Sequence, residues 1–66
     1  MPTIHVEIWK GRPQASKKAL AAALTQTVIE QVGCPAGAVS VIIQEVDKQD
    51  WYIGGKACQE MYPEPS

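Results

Sequence analysis

Pro2, Arg12 and Trp51 are of types that can do chemistry which their neighbours cannot. Pro2 follows Met1, so removal of the methionine would expose a secondary amine, whereas Pro13, Pro35, Pro63 and Pro65 are all locked in tertiary amides. An α-amino group has a reference pKa of roughly 7.7 to 8.0. Partial burial and a nearby cation both disfavour the ammonium form and lower that value. A neutral amine near pH 7 is a competent general base. Proline at position two also permits methionine removal with no further meaning, so Pro2 needs partners before it signifies anything.

Arg12 is the sole arginine and stands just ahead of a long helix-forming run. The free N–H groups and dipole of a helix start favour anions, so a cation gains nothing from that position. A solvated residue is the plain reading. A guanidinium facing a carboxylate, which it binds bidentately, is the functional one. Trp51, with Trp9 and Tyr52, can be ordinary core or interface packing. The same aromatics could instead wall an apolar pocket that desolvates a small acid.

The elements that must hold these groups are legible from patterning. Thr3 to Ile8 alternate strictly, with Ile4, Val6 and Ile8 on one side and Thr3, His5 and Glu7 on the other. That period of two predicts a half-buried strand ending at Lys10 and Gly11. Pro13 suits the first turn of a helix. The following run to Val32 has strong helix formers and no internal glycine or proline. Leu20, Leu24, Val28 and Val32 form one apolar stripe with Ala21, opposite Ser16, Ala19, Ala23, Gln26, Thr27 and Glu30. Gly33 and Pro35 stop the helix. Val39 to Val46 is apolar on both faces, as expected of a strand inside a sheet. Strand, helix and strand make a βαβ unit, an α/β (α+β) class of fold, with parallel strands and a right-handed crossover. Gly54-Gly55 between Trp51-Tyr52-Ile53 and Lys56 predicts a short C-terminal hairpin, and 63–66 a loose tail. No second domain or repeat is visible, so 1–66 reads as a single domain.

Sixty-six residues is near the lower limit for a self-sufficient core. Two cysteines, Cys34 and Cys58, without CxxC spacing or a secretory signal do not make a disulfide framework. A metal site would have to gather the lone His5 with both cysteines and a carboxylate from distant stretches, so no metal is expected. Oligomerisation is left as the supplement, and two strands with one helix leave a sheet face and both edges open for it. A net charge of −1 with scattered signs offers no basic stripe for nucleic acid and no polybasic patch for membranes. The apolar runs are too short to span a bilayer, so a soluble cytoplasmic protein is the expectation.

Taken together, Pro2, Gly11-Arg12, the helix length, the strand VSVIIQEV and the closing Ile53-Gly54-Gly55 resemble the 4-oxalocrotonate tautomerase family, almost without gaps from Pro2 to about Lys56. The resemblance implies a tautomerase fold whose βαβ subunits pair into four-stranded sheets, with three such dimers forming a hexamer. It implies a cofactor-independent keto–enol proton transfer on a small 2-hydroxydienoate or related enol acid. Pro2 would be the base and Arg12 the carboxylate binder. Trp51 would wall the site where the family usually has phenylalanine, and Trp9 would line the pocket. One position departs: the family's second arginine, in the pattern VRVII, is Ser40 here, a neutral donor in place of a charged fork. Losing such a contact in a transition state typically costs on the order of 10² in rate. Ser40 therefore supports the reaction type better than a dicarboxylate such as 2-hydroxymuconate. Lys10 and Lys48 are candidate replacements that the sequence does not place. Ile53 occupies the position where the family's dehalogenases carry an acid, which argues against hydrolytic dehalogenation. The alternatives are a hydratase or decarboxylase on the same scaffold, or a non-catalytic subunit of a mixed oligomer.

Overall fold

A computed structural model describes residues 1–63. Of the expected tail, Pro63 is exposed and outside any helix or strand, and the rest lies outside the described residues. The βαβ unit is present as β1 (Thr3–Trp9), α1 (Gln14–Val32) and β2 (Ser40–Val46). The two strands pair in parallel, from Thr3 opposite Ser40 to Trp9 opposite Val46. β2 starts one residue later than the apolar run, because the N–H of Val39 closes a short 3-10 turn (Ala36–Ala38) on the carbonyl of Ala36 at 3.1 Å.

Pro13 stands just before α1 rather than inside it. Its extended ψ of 151° leaves its carbonyl to accept the amides of Ser16 and Lys17 at 3.1 and 3.3 Å. At the other end Gly33 takes a φ of 79°, a left-handed conformation that glycine enters without steric penalty, and donates its N–H to Ile29 at 2.9 Å.

α1 packs on one face of the sheet, where Ile4, Val6, Ile8, Val41 and Ile43 are half-buried, as are Leu20, Ala21, Leu24 and Val28 of the helix. Val32 departs from the expected stripe and is 65% exposed. Nineteen helical residues rise about 28 Å, whereas a strand of seven spans about 23 Å, so the last turn of α1 overruns the sheet.

The expectation that β2 has both faces buried inside a sheet is not met within one chain. Among the described residues the sheet has two strands only, and Ile42 on the face away from α1 is 51% exposed. Cys58 is the only fully buried residue among the described residues. The radius of gyration is 15.0 Å, against roughly 11 Å for a self-contained globule of this length. The helix supplies one cover for a sheet that has two faces.

Beyond β2, a 3-10 turn (Lys48–Asp50) leads to the expected hairpin, β3 (Tyr52–Ile53) antiparallel to β4 (Lys56–Ala57). Gly54 and Gly55 both have positive φ, 60° and 84°, as a two-residue hairpin loop of this hand requires. A short helix, α2 (Cys58–Met61), follows. One turn is too short for a periodic pattern, so the sequence did not announce it. Glu60 accepts the Ala57 amide at 3.2 Å, and the Cys58 amide reaches the Trp51 carbonyl at 2.7 Å, docking α2 under the aromatic at that end. Both cysteines are free, Cys34 half-buried and Cys58 buried.

Covering the exposed half of Ile42 with a second copy would gain about 1–2 kcal/mol per side chain. Ile42→Glu is therefore expected to shift the protein to smaller species at micromolar concentration, as read by sedimentation velocity.

Candidate functional site

β1 separates the two groups that could do chemistry. At its start, the Pro2 carbonyl accepts the Ser40 amide at 3.0 Å; Pro2 is half-buried and Ser40 is exposed. With Met1 in place the Pro2 nitrogen is an amide, so basicity requires its removal. At the far end, the Lys10 amide bonds the Val46 carbonyl at 2.9 Å and the Gly11 amide bonds Glu45 Oε2 at 3.0 Å. Gly11 has a φ of 115°, in the region that favours glycine, and the exposed Arg12 follows it. Seven strand residues place about 23 Å between these ends. Pro2 and Arg12 of one chain therefore cannot hold the same small acid.

Trp9 and Trp51 lie at the Arg12 end, edge to face, with ring centroids 6.3 Å apart and planes at 81°. Tyr62 approaches Trp9 at 5.4 Å. The third aromatic of this cluster is thus Tyr62 and not Tyr52, which is 62% exposed. Lys48 Nζ lies 4.8 Å over the Trp9 ring and donates to the Tyr62 carbonyl at 2.8 Å. Trp9, Lys10, Gly11, Arg12 and Lys48 line a cleft of about 200 Å³. Arg12 also borders an apolar slot of about 130 Å³ with Ile8, Ser16, Lys17 and Leu20. Of the five site residues expected from sequence, the fold brings Ser40 to Pro2, and Trp9 and Trp51 to the Arg12 end. Lys10 and Lys48 both reach the Arg12 cleft.

Glu45 was missed, since the partners that give it a role lie 34 and 28 residues away in the chain. It points to the α1 face, half-buried, with one oxygen on Lys17 Nζ and the other on the Gly11 amide. The Lys17 hydrogen bond, and after it that of Gly11, hold its carboxyl below the usual carboxylate range.

Residues 2–61 match the family model for tautomerase enzymes. The chain belongs to the tautomerase family. Within it, the chain is a member of the 4-oxalocrotonate tautomerase group, and its enzyme class is tautomerase, an isomerase. It is 38% identical over 61 residues to the 2-hydroxymuconate tautomerase of Pseudomonas putida, covering 92% of this chain and 97% of that one. Its fold superposes with a TM-score of 0.90 on TomN, a 4-oxalocrotonate tautomerase homologue of the tomaymycin biosynthetic pathway, at 37% identity over 98% of this chain and 100% of that one. A heterohexameric 4-oxalocrotonate tautomerase from Chloroflexus aurantiacus J-10-fl gives a TM-score of 0.87 at 31% identity, covering 92% and 98% of the respective chains. Among the described residues of this tautomerase, no three His, Cys, Asp or Glu side chains gather as a metal site. No described helix is long and apolar enough to cross a membrane.

The depressed Glu45 pKa fixes a sign. The group adds stability above its unfolded pKa and loses that contribution as pH falls through the lower folded value. Glu45→Gln is expected to lower the melting temperature at pH 7, with the gap to the parent closing as pH drops well below 4.5. Thermal unfolding across that range is the check.

Proposed function

We propose that this chain is a cofactor-independent tautomerase acting on a small enol acid, with the Pro2 amine, freed by loss of Met1, as base and Arg12 of another copy as carboxylate clamp. The placement of Pro2 and Arg12 at opposite ends of one β1 strand is the observation that carries the reading, because only a second copy can unite them. The open sheet face and edges supply the surface for that copy. A hexamer built as a trimer of dimers, each dimer a four-stranded sheet, satisfies both needs, and a cytoplasmic setting agrees with two free thiols.

In this reading the neutral Pro2 nitrogen removes a proton from the enol hydroxyl, or from the carbon next to the carbonyl, and returns it to a different atom of the conjugated system. Arg12 binds the carboxylate through two parallel N–H donors, and Lys10 and Lys48 in the same cleft add positive potential for the developing dienolate. Trp9 and Trp51 exclude water from this end and so strengthen those interactions. Ser40 beside Pro2 offers one neutral donor, which favours acids bearing a single carboxylate over dicarboxylates.

Ser40 also motivates a second reading, an accessory subunit of a mixed oligomer in which a partner chain brings the missing arginine. The two readings separate on homogeneous protein. Intact mass should show loss of Met1, and the purified protein alone should ketonise phenylenolpyruvate. Pro2→Ala is expected to lower kcat by about 10² or more, and Arg12→Ala to raise KM by about tenfold with kcat less affected. Full activity in both variants sinks the catalytic reading. An inactive protein of correct mass favours the accessory one.

If the serine limits substrate choice, Ser40→Arg should raise kcat/KM for 2-hydroxymuconate about tenfold or more relative to phenylenolpyruvate. Steady-state kinetics on both substrates test this.

A further inference from the structure

Among the described residues no hydrogen bond or ion pair holds the Arg12 guanidinium, so the backbone is what sets the point and direction from which its side chain reaches out. That backbone sits between two unequal joints. Pro13 restricts Arg12 from the following side, since a residue before proline is pushed toward extended conformations. Gly11, on the preceding side, has the widest conformational freedom of any residue and occupies a φ of 115°.

Two consecutive residues of β2 close this loose joint. Val46 takes the Lys10 amide through its carbonyl at 2.9 Å, extending the ladder by one rung. The ladder can go no further at Gly11, whose amide turns to the Glu45 side chain at 3.0 Å. The second Glu45 oxygen is held by Lys17 in the first turns of α1, which stops the carboxylate from following the loop. Lys10, the other cation felt by Glu45, is exposed and has a weaker influence than Lys17. An ion pair with Lys17 alone would tie β2 to α1 and leave Arg12 unaffected; the bond to Gly11 gives the carboxylate a hold on the next residue.

We propose that Glu45 is a positioning residue for substrate recognition: its carboxylate, braced by Lys17, locks the Gly11 amide and thereby aims Arg12 at the substrate carboxylate. The inference rests on the reading of Arg12 as that clamp. Glu45 touches no reacting atom, so its removal changes where the clamp stands and leaves the base intact.

Four proteins test this: Arg12→Ala, Glu45→Gln, the double variant Arg12→Ala/Glu45→Gln, and Glu45→Gln/Lys17→Met. The assay is phenylenolpyruvate ketonisation by the assembled full chain at pH 7, well below its melting temperature, with sedimentation to verify assembly. Glu45→Gln presents an NH2 either to Lys17 or to the Gly11 amide, both donors, so the lock opens. KM is expected to rise about tenfold with kcat within about twofold, as for loss of a charge-assisted hydrogen bond acting on binding. Adding Lys17→Met removes the cation that the amide group meets, lets its oxygen accept from Gly11, and should recover most of KM. In the Arg12→Ala background Glu45→Gln should add nothing, the non-additivity expected of two residues in one chain of action. Faster hydrogen exchange at the Gly11 amide of Glu45→Gln reports the opened joint without reference to activity.

A tenfold rise in KM for Arg12→Ala with none for Glu45→Gln overturns this inference and spares the clamp. A Glu45→Gln effect that persists in full without Arg12 also overturns it, marking a purely structural role. No effect of Arg12→Ala overturns the clamp and this inference with it. Should Glu45→Gln fail to assemble, Glu45→Asp decides the question in its place: it keeps the charge on Lys17 but is one methylene too short to span both donors, and an unchanged KM overturns the proposal.

Discussion

The parallel ladder between β1 and β2 is the constraint from which the rest of this small structure follows. Its first rung ties the Ser40 amide to the Pro2 carbonyl, and its last ties the Lys10 amide to Val46, one residue before the turn that carries Arg12. One strand thus sets the position of both ends at which chemistry can occur. A parallel pair needs a long crossover, and α1 provides it while covering the inner face. The length of the strands then separates Pro2 from Arg12 by more than any small acid can bridge.

Assembly and chemistry are consequently linked. One helix cannot cover both faces of a sheet, so Ile42 stays half in water and only Cys58 is buried outright among the described residues. The same deficit that asks for a second copy on thermodynamic grounds is the one that would bring a second chain's Arg12 to Pro2. At the Arg12 end the fold has spent its polar side chains on geometry: Glu45 holds Gly11 and Lys17, and Lys48 spans from Trp9 to the Tyr62 carbonyl. Among the described residues Arg12 itself is left without such a tether, so its placement depends on the backbone that Glu45 holds.

Much of this was legible in order. Alternation over Thr3 to Ile8 marked β1, the glycine- and proline-free run marked α1, and Gly54-Gly55 marked the hairpin, because each signal is local to its own element. Val32 misled, since a helical stripe says which side faces a sheet and not how far the sheet extends. Tyr62 and α2 gave no warning: one helical turn has no period, and its anchor is a bond to the Trp51 carbonyl. Glu45 was invisible for the same reason, its partners being 34 and 28 residues away in the chain.

The sequence by itself determined the types of the long elements and the hairpin, the family pattern and the identities of the groups able to act, Pro2, Arg12 and the tryptophans, because residue chemistry and short-range periodicity are written residue by residue. Only the tertiary structure decided which of them share an end of the sheet. Strand register is a long-range property: pairing Thr3 with Ser40 and Trp9 with Val46 puts Ser40 beside Pro2 and Glu45 beside the Arg12 turn, and a slip of one residue would turn Glu45 to the opposite face.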